Sequence, residues 1–204
     1  MPTELILIRH GETLHTVEGR YSGHSDPPLT ERGRLQATRI AQALSDCSLR
    51  ILYSSDLVRA WETGRFIAEG RDIEIVARPA LREQYFGRWE GWTYDEIVAG
   101  EKRAFDRWMA DIWEGRPPDG ECFQEVYDRV VVEVHRIVDR HPEETVAVVG
   151  HVGSIAATVM KTLGVPPEGI WNFRVVPASI SVVRCYGNRW VLEGLNDTCH
   201  LTGV

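Results

Sequence analysis

Leu5-Ile6-Leu7-Ile8-Arg9-His10-Gly11-Glu12-Thr13 is the stretch on which the fold turns. A continuous Leu/Ile run without polar alternation predicts a strand covered on both faces, and Gly11 marks the turn that ends it. Ligands of open α/β sheets collect beyond the carboxyl ends of such strands, so Arg9 and His10 arrive together where chemistry is placed. Thr145-Val146-Ala147-Val148-Val149 repeats the arrangement, with Gly150-His151 following at once. A lone histidine after a strand is more often a satisfied polar residue than a catalyst. Two strands that each end in histidine point to a shared site.

Outward from these strands, strand and helix alternate. The pattern predicts a strand over 4–8, a loop to 29, a helix from Thr30 to Leu44, a strand over Leu49–Tyr53, a helix over Asp56–Ala68 and a strand over Glu74–Ala77. Thr30 fits an N-cap, and Leu35, Ile40, Ala43 and Leu44 share one helical face. From Gln84 to His141 the texture turns aromatic and helical, including Phe105 to Trp113, broken by Gly115-Arg116-Pro117-Pro118-Asp119-Gly120. Phe123, Val126, Val130, Val134, Ile137 and Val138 then recur at three and four residues up to Pro142, which predicts a long helix. Thr145–Val149 is the next strand, Ser154–Leu163 a helix, and Ile180–Cys185 with Trp190–Leu192 a hairpin around Gly187-Asn188. The expected fold is α/β: a three-layer sandwich with a mostly parallel central sheet flanked by helices, in one domain over 1–204, carrying a helical cap insertion over about 84–142.

At 204 residues, 43% hydrophobic and 26% charged, the chain has the composition of an ordinary globular domain with one sizeable core. No apolar run approaches the roughly 18–20 residues of a membrane span, and the N-terminus lacks a basic region followed by a long apolar one. A cytoplasmic location is the default expectation. Cys47, Cys122, Cys185 and Cys199 are widely spaced with no Cys-x-x-Cys pair, so free thiols are expected rather than zinc or redox chemistry. The net charge of −7 with no Lys/Arg-rich run argues against nucleic acid or an anionic membrane as the main partner.

The combination of Arg9-His10-Gly11 with Gly150-His151 resembles the histidine phosphatase superfamily, also called phosphoglycerate mutase-like. Further blocks agree in order. Gly19 to Gly33, with Ser22-Gly23 and Pro28-Leu29-Thr30-Glu31-Arg32-Gly33, is similar to the family's polar-Gly segment and helix start. Ser55-Asp56-Leu57-Val58-Arg59-Ala60-Trp61-Glu62-Thr63 resembles its Ser-x-x-x-Arg-x-x-x-Thr block. Leu81-Arg82-Glu83 and Phe86-Gly87-Arg88-Trp89-Glu90-Gly91 resemble the block that follows, and Asn196-Asp197-Thr198-Cys199-His200-Leu201 is similar to the ending of its small phosphatases.

The resemblance implies a phosphomonoester hydrolase that works through a phosphohistidine, with His10 as nucleophile, Glu83 as general acid and His151 supporting the transferring group. Arg9 and Arg59 would grip phosphate oxygens through planar forked donors. Ser22 and Gly23 are carried over as substrate contacts, and Thr16 stands where many members have asparagine. Glu12 and Glu90 are rival carboxyls with structural roles expected, and His15, His24, His135, His141 and His200 are left outside the active core. His135 and His141 are expected at the surface, with His200 closing over the site. No metal or cofactor is expected, since no His-x-His or His-Glu-x-x-His cluster is present. The partner is a small-molecule phosphomonoester, and a homodimer is left open. After His151 the family often has a helix arginine, whereas Ser154-Ile155-Ala156-Ala157 is uncharged. Two alternatives remain beside hydrolysis: cofactor-dependent phosphoglycerate mutase and a non-catalytic phosphate-binding module. Alpha-ribazole phosphatase and broad-specificity phosphatases are the family's closest functional types. Trp89, Trp92, Tyr94, Trp108 and Trp113 either stack on a ring-bearing substrate or form the insertion's own core.

Overall fold

The computed structural model describes residues 1–204 apart from the side chain of Trp171. Strand β1 (Thr3–Arg9) is buried on both faces: Leu5 and Leu7 enter one apolar cluster, Ile6 and Ile8 another. After it come α1 (Leu14–Glu18), α2 (Glu31–Ala43), β2 (Leu49–Ser54), α3 (Val58–Ala68) and β3 (Ile75–Ala77). The chain continues through α4 (Tyr94–Ala110), α5 (Phe123–Arg140), β4 (Thr145–Gly150) and α6 (Val152–Leu163), and ends in the hairpin β5 (Ile180–Tyr186) and β6 (Arg189–Asp197). Helix α1 falls inside the expected loop. It has five residues, none buried, so no apolar period announces it; a Thr13/Thr16 capping box starts it and left-handed Gly19 (φ 66°) stops it.

The sheet order is β3-β2-β4-β1-β5-β6. The first four strands run parallel, and β5 and β6 are antiparallel. Helices α2 and α3 cover one face through Ile40, Ala60 and Ile67, packed on Ile6, Ile8, Leu52 and Val149. Helices α5 and α6 cover the other through Val126, Val130, Ile155 and Val159, packed on Leu5, Leu7 and Val146. Each such Leu, Ile or Val contributes about 1.5–3 kcal/mol on burial. Because both faces of β1 are apolar, a one-residue slip would carry little hydrophobic penalty, so register information lies at the strand end. There Ile8 stands opposite Val149 and Arg9 opposite Gly150. A Cβ on Gly11 would lie 2.5 Å from the Gly33 carbonyl oxygen, a contact that only glycine permits.

Several expectations shift. The cap expected over 84–142 divides in two. Trp89, Ile97, Phe105 and Trp108 build a separate cluster with Phe86, Trp92 and Ile112, joined by Tyr21. Helix α5 instead buries Phe123, Val126, Val130, Val134 and Ile137 against the sheet, so it is a layer of the sandwich and not part of a cap. The expected Phe105–Trp113 helix is the second half of α4, which is broken at Glu101 (φ −135°, ψ 33°) and ends at Ala110. Helix α3 starts at Val58 rather than Asp56 because the Asp26 carboxylate accepts the Val58 N–H at 2.8 and 3.0 Å. Helix α6 starts at Val152, with His151 itself at the N-cap.

Candidate active site

The parallel pairing of β1 and β4 brings both strand-end histidines to one place. The His10 N–H donates to the Gly150 carbonyl at 3.1 Å, and the His10 and His151 rings stand 5.1 Å apart. His10 Nδ1 lies 2.7 Å from the Gly11 carbonyl oxygen, which can only accept, so Nδ1 carries the proton. Nε2 is thereby left with its lone pair, and it accepts from Arg59 Nε at 3.3 Å. Burial, with the charges of Arg59 and Arg9, holds the His10 pKa well below its ordinary value. The ring is neutral at physiological pH, as a nucleophile must be.

Arg59 is fully buried and satisfied in detail. Nη1 donates to the Ser25 carbonyl (2.9 Å) and Nη2 to those of Ser22 (3.1 Å) and Gly23 (2.8 Å). Thr63, one turn further along α3, donates its hydroxyl to the Arg59 carbonyl and accepts the Gly11 N–H, tying the helix to the turn after His10. Arg9 donates Nη1 to the Val175 carbonyl at 2.7 Å while its Nε is buried without a partner. Burial is the main cause that lowers its pKa to about 10, which leaves it charged at neutral pH.

His151 is fully buried, and among the described residues neither ring nitrogen has a hydrogen-bond partner. An unpaired buried polar group costs about 1–3 kcal/mol, which a purely structural histidine would not carry. Burial, then Arg59, His10 and Arg9, push its pKa well down. Glu83 is held by the N–H groups of Gln84 (2.8 Å) and Gly153 (3.0 Å). A Cβ at Gly153 would lie 2.2 Å from Glu83 Oε1, so glycine at the second position of α6 lets the carboxylate reach the helix start.

Arg9, His10 and Glu83 open on a cavity of about 660 Å³, walled by Tyr21, Phe86, Tyr94, Trp108, Phe123 and Phe173. Arg59 and His151 do not line this cavity. The other carried-over contacts fare differently. Thr16 lines the cavity, but its hydroxyl proton is given to the Thr13 carbonyl (2.8 Å) within the capping box, so it is no free phosphate donor. Ser22 lines the cavity with its hydroxyl 3.1 Å from His15 Nδ1, which places His15 on the wall too. The Gly23 N–H is taken by Glu90 Oε2 at 3.2 Å. Glu12 binds Thr30 and Arg32, and Glu90 accepts four backbone N–H groups, so both rivals of Glu83 are structural.

His141 is not a surface residue: it bonds Tyr53 and Glu144. His135 stacks on Trp190. His200 contacts the Ala178 carbonyl, whose own N–H serves His10, so it braces the site from behind and does not close over it. Arg174 was missed. This exposed side chain from the loop before β5 lines the cavity without an ion pair among the described residues, and only the fold brings it beside α6. Among the described residues no three His, Cys, Asp or Glu side chains cluster as a metal site. No helix is long and apolar enough to cross a membrane.

The two buried neutral histidines make stability pH-dependent. Their folded pKa values lie below the unfolded value near 6.5, so the unfolded chain binds more protons as pH falls through 6.5. Stability is therefore lost on acidification, by up to about 1.4 kcal/mol per pH unit for each histidine. Urea unfolding between pH 7.5 and 5.5 should show this slope, shallower in His151→Asn; equal slopes would contradict it.

The Histidine phosphatase superfamily (branch 1) model matches residues 5–198. Phosphoserine phosphatase 1 of Hydrogenobacter thermophilus is 36% identical over 97% of this chain and 94% of its own. An adenosylcobalamin/alpha-ribazole phosphatase of Salmonella typhimurium is 34% identical over 95% and 96%. The solved structure of Bacillus stearothermophilus YhfR superposes with a TM-score of 0.92 at 35% identity, covering 98% of this chain and 99% of that one. The paired strand-end histidines thus sit in a matching fold and a matching family: the chain belongs to the histidine phosphatase superfamily, and it is a phosphatase.

Proposed function

We propose that the enzyme hydrolyses phosphomonoesters through a phosphohistidine on His10. The observation that carries this is the His10 ring: its Nδ1 proton is committed to Gly11, which leaves Nε2, held by Arg59 Nε at 3.3 Å, as the basic nitrogen, and the residue lines the cavity beside Arg9 and Glu83. Nε2 attacks phosphorus and the bond to the leaving oxygen breaks, with Glu83 giving that oxygen its proton. Water then attacks the phosphohistidine while the Glu83 carboxylate takes its proton, which releases phosphate and restores neutral His10. Arg9, Arg59 and the N-terminus of α6 supply the positive field that phosphoryl transfer needs, and neutral His151 supplies a ring N–H with no partner among the described residues.

For the substrate, a ring-bearing or otherwise apolar leaving group fits best. A wall of six aromatic side chains around about 660 Å³ offers far more surface than a triose needs. Ring burial against such a wall contributes about 1–3 kcal/mol, or roughly tenfold to hundredfold in kcat/KM if realised in the transition state. Alpha-ribazole 5′-phosphate is the leading candidate. Arg174 favours a second reading, a substrate whose leaving group carries a carboxylate, such as phosphoserine. A panel containing both compounds, 3-phosphoglycerate and p-nitrophenyl phosphate decides between them. On the first reading Arg174→Gln leaves the preferred substrate within about twofold; on the second it lowers kcat/KM for phosphoserine about tenfold or more and spares p-nitrophenyl phosphate. Efficient interconversion of 2- and 3-phosphoglycerate with negligible ester hydrolysis would overturn both.

A further inference from the structure

Glu90 does no chemistry in the scheme above, yet its carboxylate is the most heavily bonded in the cap. Oε1 accepts the N–H groups of His24 (2.9 Å) and Phe86 (3.0 Å), and Oε2 those of Gly23 (3.2 Å) and Ser25 (2.7 Å). The peptide joining Ser22 to Gly23 gives its N–H to Glu90 and its carbonyl to Arg59, and so does the peptide joining Gly23 to His24. Two peptide planes are thus clamped between a carboxylate on one edge and a guanidinium on the other. Chains of this kind polarise one another, each bond strengthening the next. The clamp has no slack: a Cβ at Gly23 would lie 2.2 Å from Glu90 Oε1 and 2.1 Å from the Gln84 carbonyl oxygen.

We infer that Glu90 is a positioning residue: through the Ser22–Ser25 turn it fixes the Arg59 guanidinium against His10 Nε2. Arg59 lies on α3, whereas Glu90 follows the 3-10 turn Gly87–Trp89 at the start of the cap. The guanidinium has no carboxylate within hydrogen-bond range, its nearest being Asp26 at 3.6 Å, so its aim depends on the three carbonyls of the turn. Without the carboxylate, four N–H groups lose their acceptor and the turn is free to rotate those carbonyls away. In Glu90→Gln the amide group would in addition face N–H donors.

The inference rests on the role proposed above for Arg59 in supplying positive field to phosphoryl transfer, and a double-mutant cycle separates the two. kcat and KM for p-nitrophenyl phosphate are measured for Glu90→Gln, Arg59→Lys and the double variant, with folded fraction followed by thermal melting. Glu90→Gln is expected to lose about tenfold to hundredfold in kcat with KM within about threefold. The double variant should be no worse than Arg59→Lys alone, because Glu90 acts only through Arg59. Losses that multiply in the double variant overturn the link to Glu90 while leaving the role of Arg59 intact. An Arg59→Lys enzyme as active as wild type overturns the role of Arg59, and the inference with it. If Glu90→Gln does not fold, Glu90→Asp, which keeps the charge and withdraws it by one methylene, runs the same cycle with the same outcomes.

Discussion

Replacing His10 with alanine is expected to lower kcat/KM about 10⁴-fold or more, with the fold retained. As the proposed nucleophile, His10 is the one group for which the site has no substitute: His151 lies 5.1 Å away ring to ring, but it does not line the cavity. Residual turnover would come from the arginines and the helix N-terminus alone, as when the nucleophile of other covalent enzymes is removed. Removing the ring also removes the Nδ1 bond to Gly11 and the acceptor of Arg59 Nε, so a modest loss of stability accompanies the loss of rate. Purified His10→Ala with kcat/KM within tenfold of wild type, free of contaminating phosphatase, would show that water attacks phosphorus directly.

Glu83→Gln should show the second largest effect, and it should depend on the leaving group. Glutamine keeps an oxygen for the Gln84 and Gly153 N–H groups that hold Glu83, so the local structure survives, but an amide cannot deliver a proton. General acid catalysis contributes about 10²–10⁴-fold. Alkyl phosphates, whose alkoxides leave poorly, should lose that much. p-Nitrophenyl phosphate, whose phenolate departs unprotonated, should lose little in the step that forms the phosphohistidine. Equal losses for the two classes, measured by single-turnover burst rates, would assign Glu83 to binding and not to proton transfer.

The parts of this molecule legible in the sequence were those written locally. β1 and β4 announced themselves as apolar runs, Thr30 as a cap and α5 as a stripe at helical spacing; all are present. The strand ends single out Arg9, His10 and His151, and resemblance to family blocks singles out Arg59 and Glu83; the structure brings these side chains together, and their roles are the proposal above. What stayed hidden depends on tertiary placement. Helix α1 is too short to show a period, and the same apolar stripe on α5 suits a cap or a sheet layer, which only packing distinguishes. Thr16 and Gly23 have the right chemistry for substrate contact, but Thr13 and Glu90 already hold their protons. Arg174 sits in an irregular loop with no pattern to single it out. Trp89 is fully buried in the cap's core, whereas Trp108 belongs to that core and also forms part of the cavity wall.

The covalent intermediate is the most direct test of the account. Wild-type enzyme mixed with ³²P-labelled substrate and quenched in denaturant at alkaline pH within milliseconds should carry label that survives base, is lost in acid and maps by mass spectrometry to the peptide containing His10. Enzyme that turns over fully in the same mixing experiment without ever carrying label on His10 would contradict it.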